Sequence, residues 1–233
     1  MSATPRCVHC LRPSRPPGLW SNSWQCDEHG DAMPFFDVSV PSAAALDRLR
    51  AGSQVPVWVP RPLPPGWCIS AIGWAGDERS GARATVVACC GPAPLGGGAE
   101  VAFVAEEPGA GLVARLAGLP VGGLQAGDGP GEAKVTAAKH PTPVWALPGE
   151  SEERIAYAGE AKGVWLALVF WPRAANLLLI ENMLLADLRD LPAGASDYTD
   201  LVFGAPSGRL LQPAKPGGQA APAGVSPGRV AGP

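Results

Sequence analysis

Three cysteines and a histidine fall in two short pairs near the start of the chain, Cys7-x2-Cys10 and Cys26-x2-His29, with fifteen residues between the pairs. Two residues between ligands let a tight turn aim both side chains inward, and two such turns surround one tetrahedral ion. Three thiolates and an imidazole suit zinc, and four protein ligands leave no open coordination position. The expectation is therefore a structural Zn2+ held by Cys7, Cys10, Cys26 and His29 in a zinc-ribbon-like segment, which would not fold without its metal. Gly30 follows the second pair where a left-handed residue would turn the chain away, whereas Leu11 follows the first. His9, inside the first pair, points outward in such a turn. The order Cys-Val-His-Cys-Leu excludes haem attachment, and no βαβ pattern follows to support a thioredoxin-type role.

The remaining cysteines, Cys68, Cys89 and Cys90, lie in apolar, strand-like runs and read as small buried hydrophobes. A chain of 233 residues has room for a substantial core around them. Its net charge of −3 and its lack of a long apolar run favour neither nucleic-acid electrostatics nor a membrane span. No secretory leader is evident at the start, so a cytoplasmic location is expected.

Charge divides the chain. Residues 1–36 are neutral, residues 37–205 sum to −6, and residues 206–233 carry +3 with six Pro and six Gly. The last stretch has too few apolar residues to offset its ordering entropy and is expected to be a disordered tail. Four regions result: a metal-binding segment at 1–36, a linker helix within 37–54, a main domain at 55–205 and the tail at 206–233. Trp20, Trp24, Phe35 and Phe36 would supply the small core of the first.

The linker contains PSAAALDRLRAG (41–52), where Ser42 can cap a short helix and Gly52 can follow its end. From Val55 onward strands dominate, near 55–59, 67–74, 83–90, 100–107, 134–139, 142–147, 154–159 and 163–171. The run WCISAIGW (67–74) is apolar at both parities, which predicts a strand covered on both faces. RIAYAGEAKGVWLALVFW carries the strongest hairpin pattern, with its turn around Glu160 to Gly163. A short helix is expected at 111–119. A second follows Pro172, with Leu177, Leu184, Leu188 and Leu191 on one face; a strand through LLLI (177–180) is the rival. Strands joined by short turns give an α+β fold class: a small zinc ribbon followed by a mainly antiparallel sheet with few short helices.

No catalytic motif is evident. The Gly-rich stretch PLGGGAE (94–100) lacks the Lys-Ser/Thr of a phosphate loop, and no G-x-S-x-G is present. Asp77 and Glu78 sit in a polar turn, and the adjacent Glu106 and Glu107 point to opposite faces of a strand. His140 is the sole histidine outside the metal region. Of the eight Trp, those at 58, 145 and 165 recur in strands, where they either pack a core or stack a ligand.

The strings PRC-x2-C, RPPGLWS, WAGDERSGARATVVAC, PLGGGAEVAFVAEEPGAGL, KHPTPVWA and ADLRDL resemble an uncharacterised actinobacterial family over roughly residues 4–205. Members of that family have at times carried an automatic phosphotransacetylase label. None of the catalytic positions of those larger two-domain enzymes maps onto this chain, so the resemblance implies no mechanism. Two expectations stand. One is a zinc-stabilised binding or regulatory protein for a protein partner or small molecule. The other is an acyl or phosphoryl transferase or a hydrolase using His140 with Asp77, Glu78 or Glu106. A cleft joining His140 to one of those acids would favour the enzyme.

Overall fold

A computed structural model of the chain describes residues 5–19, 21–125, 127, 130–149, 151–191 and 198–212. In chain order its elements are β1 (Arg6–Cys7), β2 (Gln25–Cys26), β3 (Gly30–Asp31), β4 (Pro34–Asp37), α1 (Ala43–Gly52), β5 (Trp58–Pro60), β6 (Cys68–Asp77) and β7 (Gly81–Pro92). There follow β8 (Gly98–Glu106), α2 (Leu112–Ala117), β9 (Ala133–Ala137), β10 (His140–Ala146), β11 (Ile155–Ala161), β12 (Val164–Trp171) and β13 (Leu184–Asp187). The fold is the expected mainly antiparallel sheet with few short helices.

Strands β6, β7, β8, β12 and β11 lie side by side at the centre of the larger sheet, which runs β1-β4-β6-β7-β8-β12-β11-β10-β9-β13-β5. Their period of two places Val87, Phe103, Leu168 and Phe170 on one face and Val86, Val104, Ala167 and Val169 on the other. Both faces are buried. On the first, the sheet curls until β5 packs against β7 and β8, enclosing Trp58, and α1 adds Leu46 and Leu49. The second carries small side chains, among them Ala84, Ala88, Ala102, Ala156 and Ala158, so α2 and Phe35 approach closely.

Local chemistry sets several boundaries. Ser42 Oγ accepts the Ala45 N–H at 3.3 Å and starts α1 as expected, although Gly52 is that helix's last residue and not the one beyond it. Lys162 and Gly163 both have positive φ and form the two-residue turn that joins β11 to β12.

Two expectations change. The segment after Pro172 is not one helix: residues Arg173–Glu181 form a 3-10 turn, Asn182 turns left-handed at φ 50°, and Leu184–Asp187 is strand β13. The rival strand through 177–180 does not form either. Strand β13 pairs with β5 and β9, and that pairing outweighs the heptad-like leucine spacing. The expected tail also begins too early. Leu210 is buried within the 3-10 turn Arg209–Leu211, and Ser207 and Arg209 both reach the buried Glu100, at 2.8 and 3.2 Å. Residues 213–233 of that expected tail lie outside the described residues, as does Trp20.

The N-terminal segment joins the same sheet through main-chain pairing. β1 pairs with β4, and β4 pairs with β6 in the register Phe35↔Ala75 and Phe36↔Trp74. The expected boundary at residue 36 therefore falls within β4. Phe36 stacks on Trp74 at 5.4 Å and meets the edge of Trp24 at 6.4 Å, so the small aromatic core bridges the segment and the sheet.

Candidate metal centre

Each ligand pair sits on a backbone turn built the same way. Cys7 ends β1, and its sulfur accepts the N–H groups of Cys10 and His9. Cys26 ends β2, and its sulfur accepts those of Glu28 and His29. The residue after each pair is left-handed: Leu11 at φ 64° and Gly30 at φ 65°. Leucine thus takes the conformation that glycine takes in the second turn, held there by burial of its side chain in the cluster that also contains Val8 and Leu112. In sequence a leucine stands where the second turn has glycine; the backbone makes the two turns equivalent. Between the pairs, Arg15 and Gln25 exchange main-chain hydrogen bonds at 2.9 Å. Arg15–Asp27 and Arg12–Glu28 are exposed ion pairs between the two arms, and they contribute little stability.

The ligand atoms of Cys7, Cys10, Cys26 and His29 all lie within 4.8 Å of one another. Cys10 Sγ is 3.6 Å from Cys26 Sγ, and His29 Nδ1 is 3.8 Å from the sulfurs of both Cys7 and Cys26. A tetrahedral ion with bonds of about 2.0–2.3 Å places its donors about 3.3–3.8 Å apart, the range of these three separations, so the cluster is compatible with such an ion. None of the cysteines is in a disulfide. Burial alone would push the Cys26 thiol up, but the Glu28 N–H and the His29 side chain outweigh it and draw it down to about 6. Burial raises Cys7, and it raises Cys10 to about 12.

Two neighbours complete the surroundings. His9 packs 5.1 Å from His29 and directly against Gly111 at the start of α2. Burial, then the neighbouring His29 and Arg115, lowers its pKa. Arg115, on α2, is only 3% exposed and has Cys7 as its electrostatic partner. Its guanidinium donates to the Leu210 carbonyl at 2.6 Å, while Nε and Nη2 have no hydrogen-bond partner among the described residues. Burial lowers its pKa to about 10, which leaves it charged at neutral pH. No sequence signal marked Arg115, because only the fold brings α2 beside the first cysteine.

The acids expected to act with His140 are not beside it. His140 is exposed at the start of β10, lining a hollow of about 410 Å³ with Glu160 and Lys162. Asp77 is spent on the β6–β7 turn, accepting from Arg79 N at 2.9 Å and Ser80 N at 2.8 Å, and Glu78 is in the same turn. Glu106, at the end of β8, caps α2 through the N–H groups of Gly111 and Val113. Strands β11 and β12 lie between β8 and β10. Cys89 is buried in the core as expected, and the sulfurs of Cys68 and Cys90 lie 3.5 Å apart across β6 and β7.

A different concavity adjoins the candidate metal centre. It has a volume of about 650 Å³, and its walls include His9, Glu106, Trp145, Glu160 and Trp165. Among the described residues no helix is long and apolar enough to cross a membrane.

Fold and site together define an antiparallel-sheet protein with an N-terminal Cys3His cluster compatible with a metal. The chain belongs to the Family of unknown function (DUF6758), whose model matches residues 1–210. No curated protein and no solved structure matches it.

Proposed function

We propose that the chain is a non-catalytic binding protein in which Cys7, Cys10, Cys26 and His29 hold a structural zinc ion, and that the ion fixes one wall of a ligand cavity. The observation that carries this reading is the pair of equivalent turns whose four ligand atoms converge beside the cavity through His9. With four protein donors the ion has no position for substrate or water. Its role is then to order residues that have little apolar core of their own, since Cys7, Cys26 and Ala32 form that cluster. Three thiolates around Zn2+ leave a net charge of −1, and the buried Arg115, whose charge is felt at Cys7, supplies the balancing cation. The enzyme reading has no comparable geometric support, because His140 and the three acids are dispersed.

Metal analysis of the purified full-length chain tests this. One zinc per chain is expected, lost in Cys26→Ser, with faster amide exchange over residues 5–37 and unchanged exchange in β7, β8 and β12. A cobalt-substituted protein should show tetrahedral d–d absorption that added azide leaves unaltered. Absence of zinc, or an azide-sensitive spectrum, overturns the proposal.

A further inference from the structure

The cavity of about 650 Å³ falls within the size range of small-molecule sites. Its floor is the second face of the sheet. In register, Glu106 on β8 lies opposite Trp165 on β12, and Trp165 lies opposite Glu160 on β11. Trp145 on β10 lies opposite Ala158, two residues from Glu160 and so on the same face. One row of adjacent strands thus presents carboxylate, indole, carboxylate, with a second indole beside the row. Both indoles are only half-buried, unlike the core Trp58. Gly127 packs so closely on Trp145 that a β-carbon there would meet the indole ring at 2.1 Å.

Among the described residues, the Asp, Glu, Lys and Arg side chains that line the cavity are all acidic. Glu106 is buried at one end and Glu160 is exposed at the rim, while no Lys or Arg lines the cavity among the described residues. Lys162, two residues beyond Glu160 in sequence, is held by Asp187 at 2.8 Å and Asp190 at 2.6 Å. Leu124, Val121 and Val164 make the remainder apolar. A site lined by two indoles and two carboxylates, with no Lys or Arg among the described residues, favours a ligand that brings positive charge on a weakly hydrated, apolar group.

We infer that this cavity binds an organic cation, of the substituted-ammonium class, between the Trp145 and Trp165 indoles with Glu160 at its rim. The inference rests on the binding-protein reading above, and a zinc assay on the same sample separates the two, since a zinc-loaded protein that ignores the cation sinks only this one. Choline, its neutral isostere 3,3-dimethylbutan-1-ol and the anion 3,3-dimethylbutyrate are titrated into 15N-labelled, zinc-loaded protein, following the indole N–H resonances. Choline should shift Trp145 and Trp165 saturably, the alcohol should bind at least roughly tenfold more weakly, and the anion should not bind. Glu160→Gln should weaken choline several-fold, with Glu78→Gln, on the β6–β7 turn, as an unaffected control. Both carboxamides keep the shape of an exposed side chain, so folding is preserved. No saturable shift with choline, equal binding of the alcohol, or an unchanged affinity in Glu160→Gln overturns the inference.

Discussion

The guanidinium carbon of Arg115 lies 4.6 Å from the centre of the Phe35 ring, although 80 positions separate the two residues in the chain. Phe35 pairs with Arg6 in the strand that leads into Cys7, and Arg115 donates to Leu210 near the end of the described chain. One buried cation on α2 therefore touches both the strand beside the candidate ligands and the 3-10 turn Arg209–Leu211.

If the net −1 centre is what balances Arg115, losing the cation weakens the metal. Arg115→Met keeps the apolar stem over Phe35 and removes the charge. Zinc affinity, measured by competition with a chromophoric chelator, should fall roughly 10- to 100-fold, as for other residues that support metal ligands from behind. Arg115→Lys should recover part of that loss. An unchanged affinity in the Met variant would refute the charge-balance argument.

The left-handed residues after the two ligand pairs differ in what holds them. A β-carbon at Gly30 meets nothing within 4 Å, so Gly30→Ala carries only backbone strain, on the order of 1–2 kcal/mol. Leu11→Gly relieves strain of that size but gives up a buried side chain worth about 1.5–3 kcal/mol, so a net loss is expected. Denaturant unfolding of the zinc-loaded variants checks both signs; a stabilised Leu11→Gly would show that burial does not hold the first turn.

Asp187 gives the sheet a defined acid sensitivity. Its carboxylate is buried; burial alone would raise its pKa, but Arg189, Lys162 and the Val57 N–H outweigh it and hold it below the usual 3.8. The unfolded chain therefore takes up this proton at a higher pH than the folded one. Stability from Asp187 is complete above about pH 5 and is lost as pH falls through its folded pKa. The stability difference between wild type and Asp187→Asn should shrink as pH drops from about 5 to 3 in urea titrations, and a constant difference would contradict it. Glu106 acts in another window. Burial raises its pKa, against the N–H groups of α2, so its contribution declines as pH rises above 4.5.

Much of the local structure was legible in the chain. The cap at Ser42, the turn at Lys162–Gly163 and the two-sided apolar pattern of β6 each depend on residues close in sequence, whose chemistry acts before distant contacts form. The spacing of Cys7, Cys10, Cys26 and His29 likewise implied that their side chains come together, as they do. The stretch after Pro172 misled because leucines spaced for one helix face are spaced equally well for a 3-10 turn followed by a strand. Leu210 misled because a lone apolar pair in a Pro- and Gly-rich stretch gives no sign that a pocket beside α2 awaits it.

What the sequence determined by itself was the set of short-range elements and the convergence of two ligand pairs, because side-chain period and turn chemistry are local quantities. Tertiary structure alone decided that β13 inserts between β9 and β5, that Arg115 comes to rest over Phe35, and that two tryptophans and two glutamates line one cavity. Those arrangements join residues tens to more than a hundred positions apart. Loop-closure entropy varies only slowly with such separations, so it does not select among partners, and the choice falls to packing of the whole sheet.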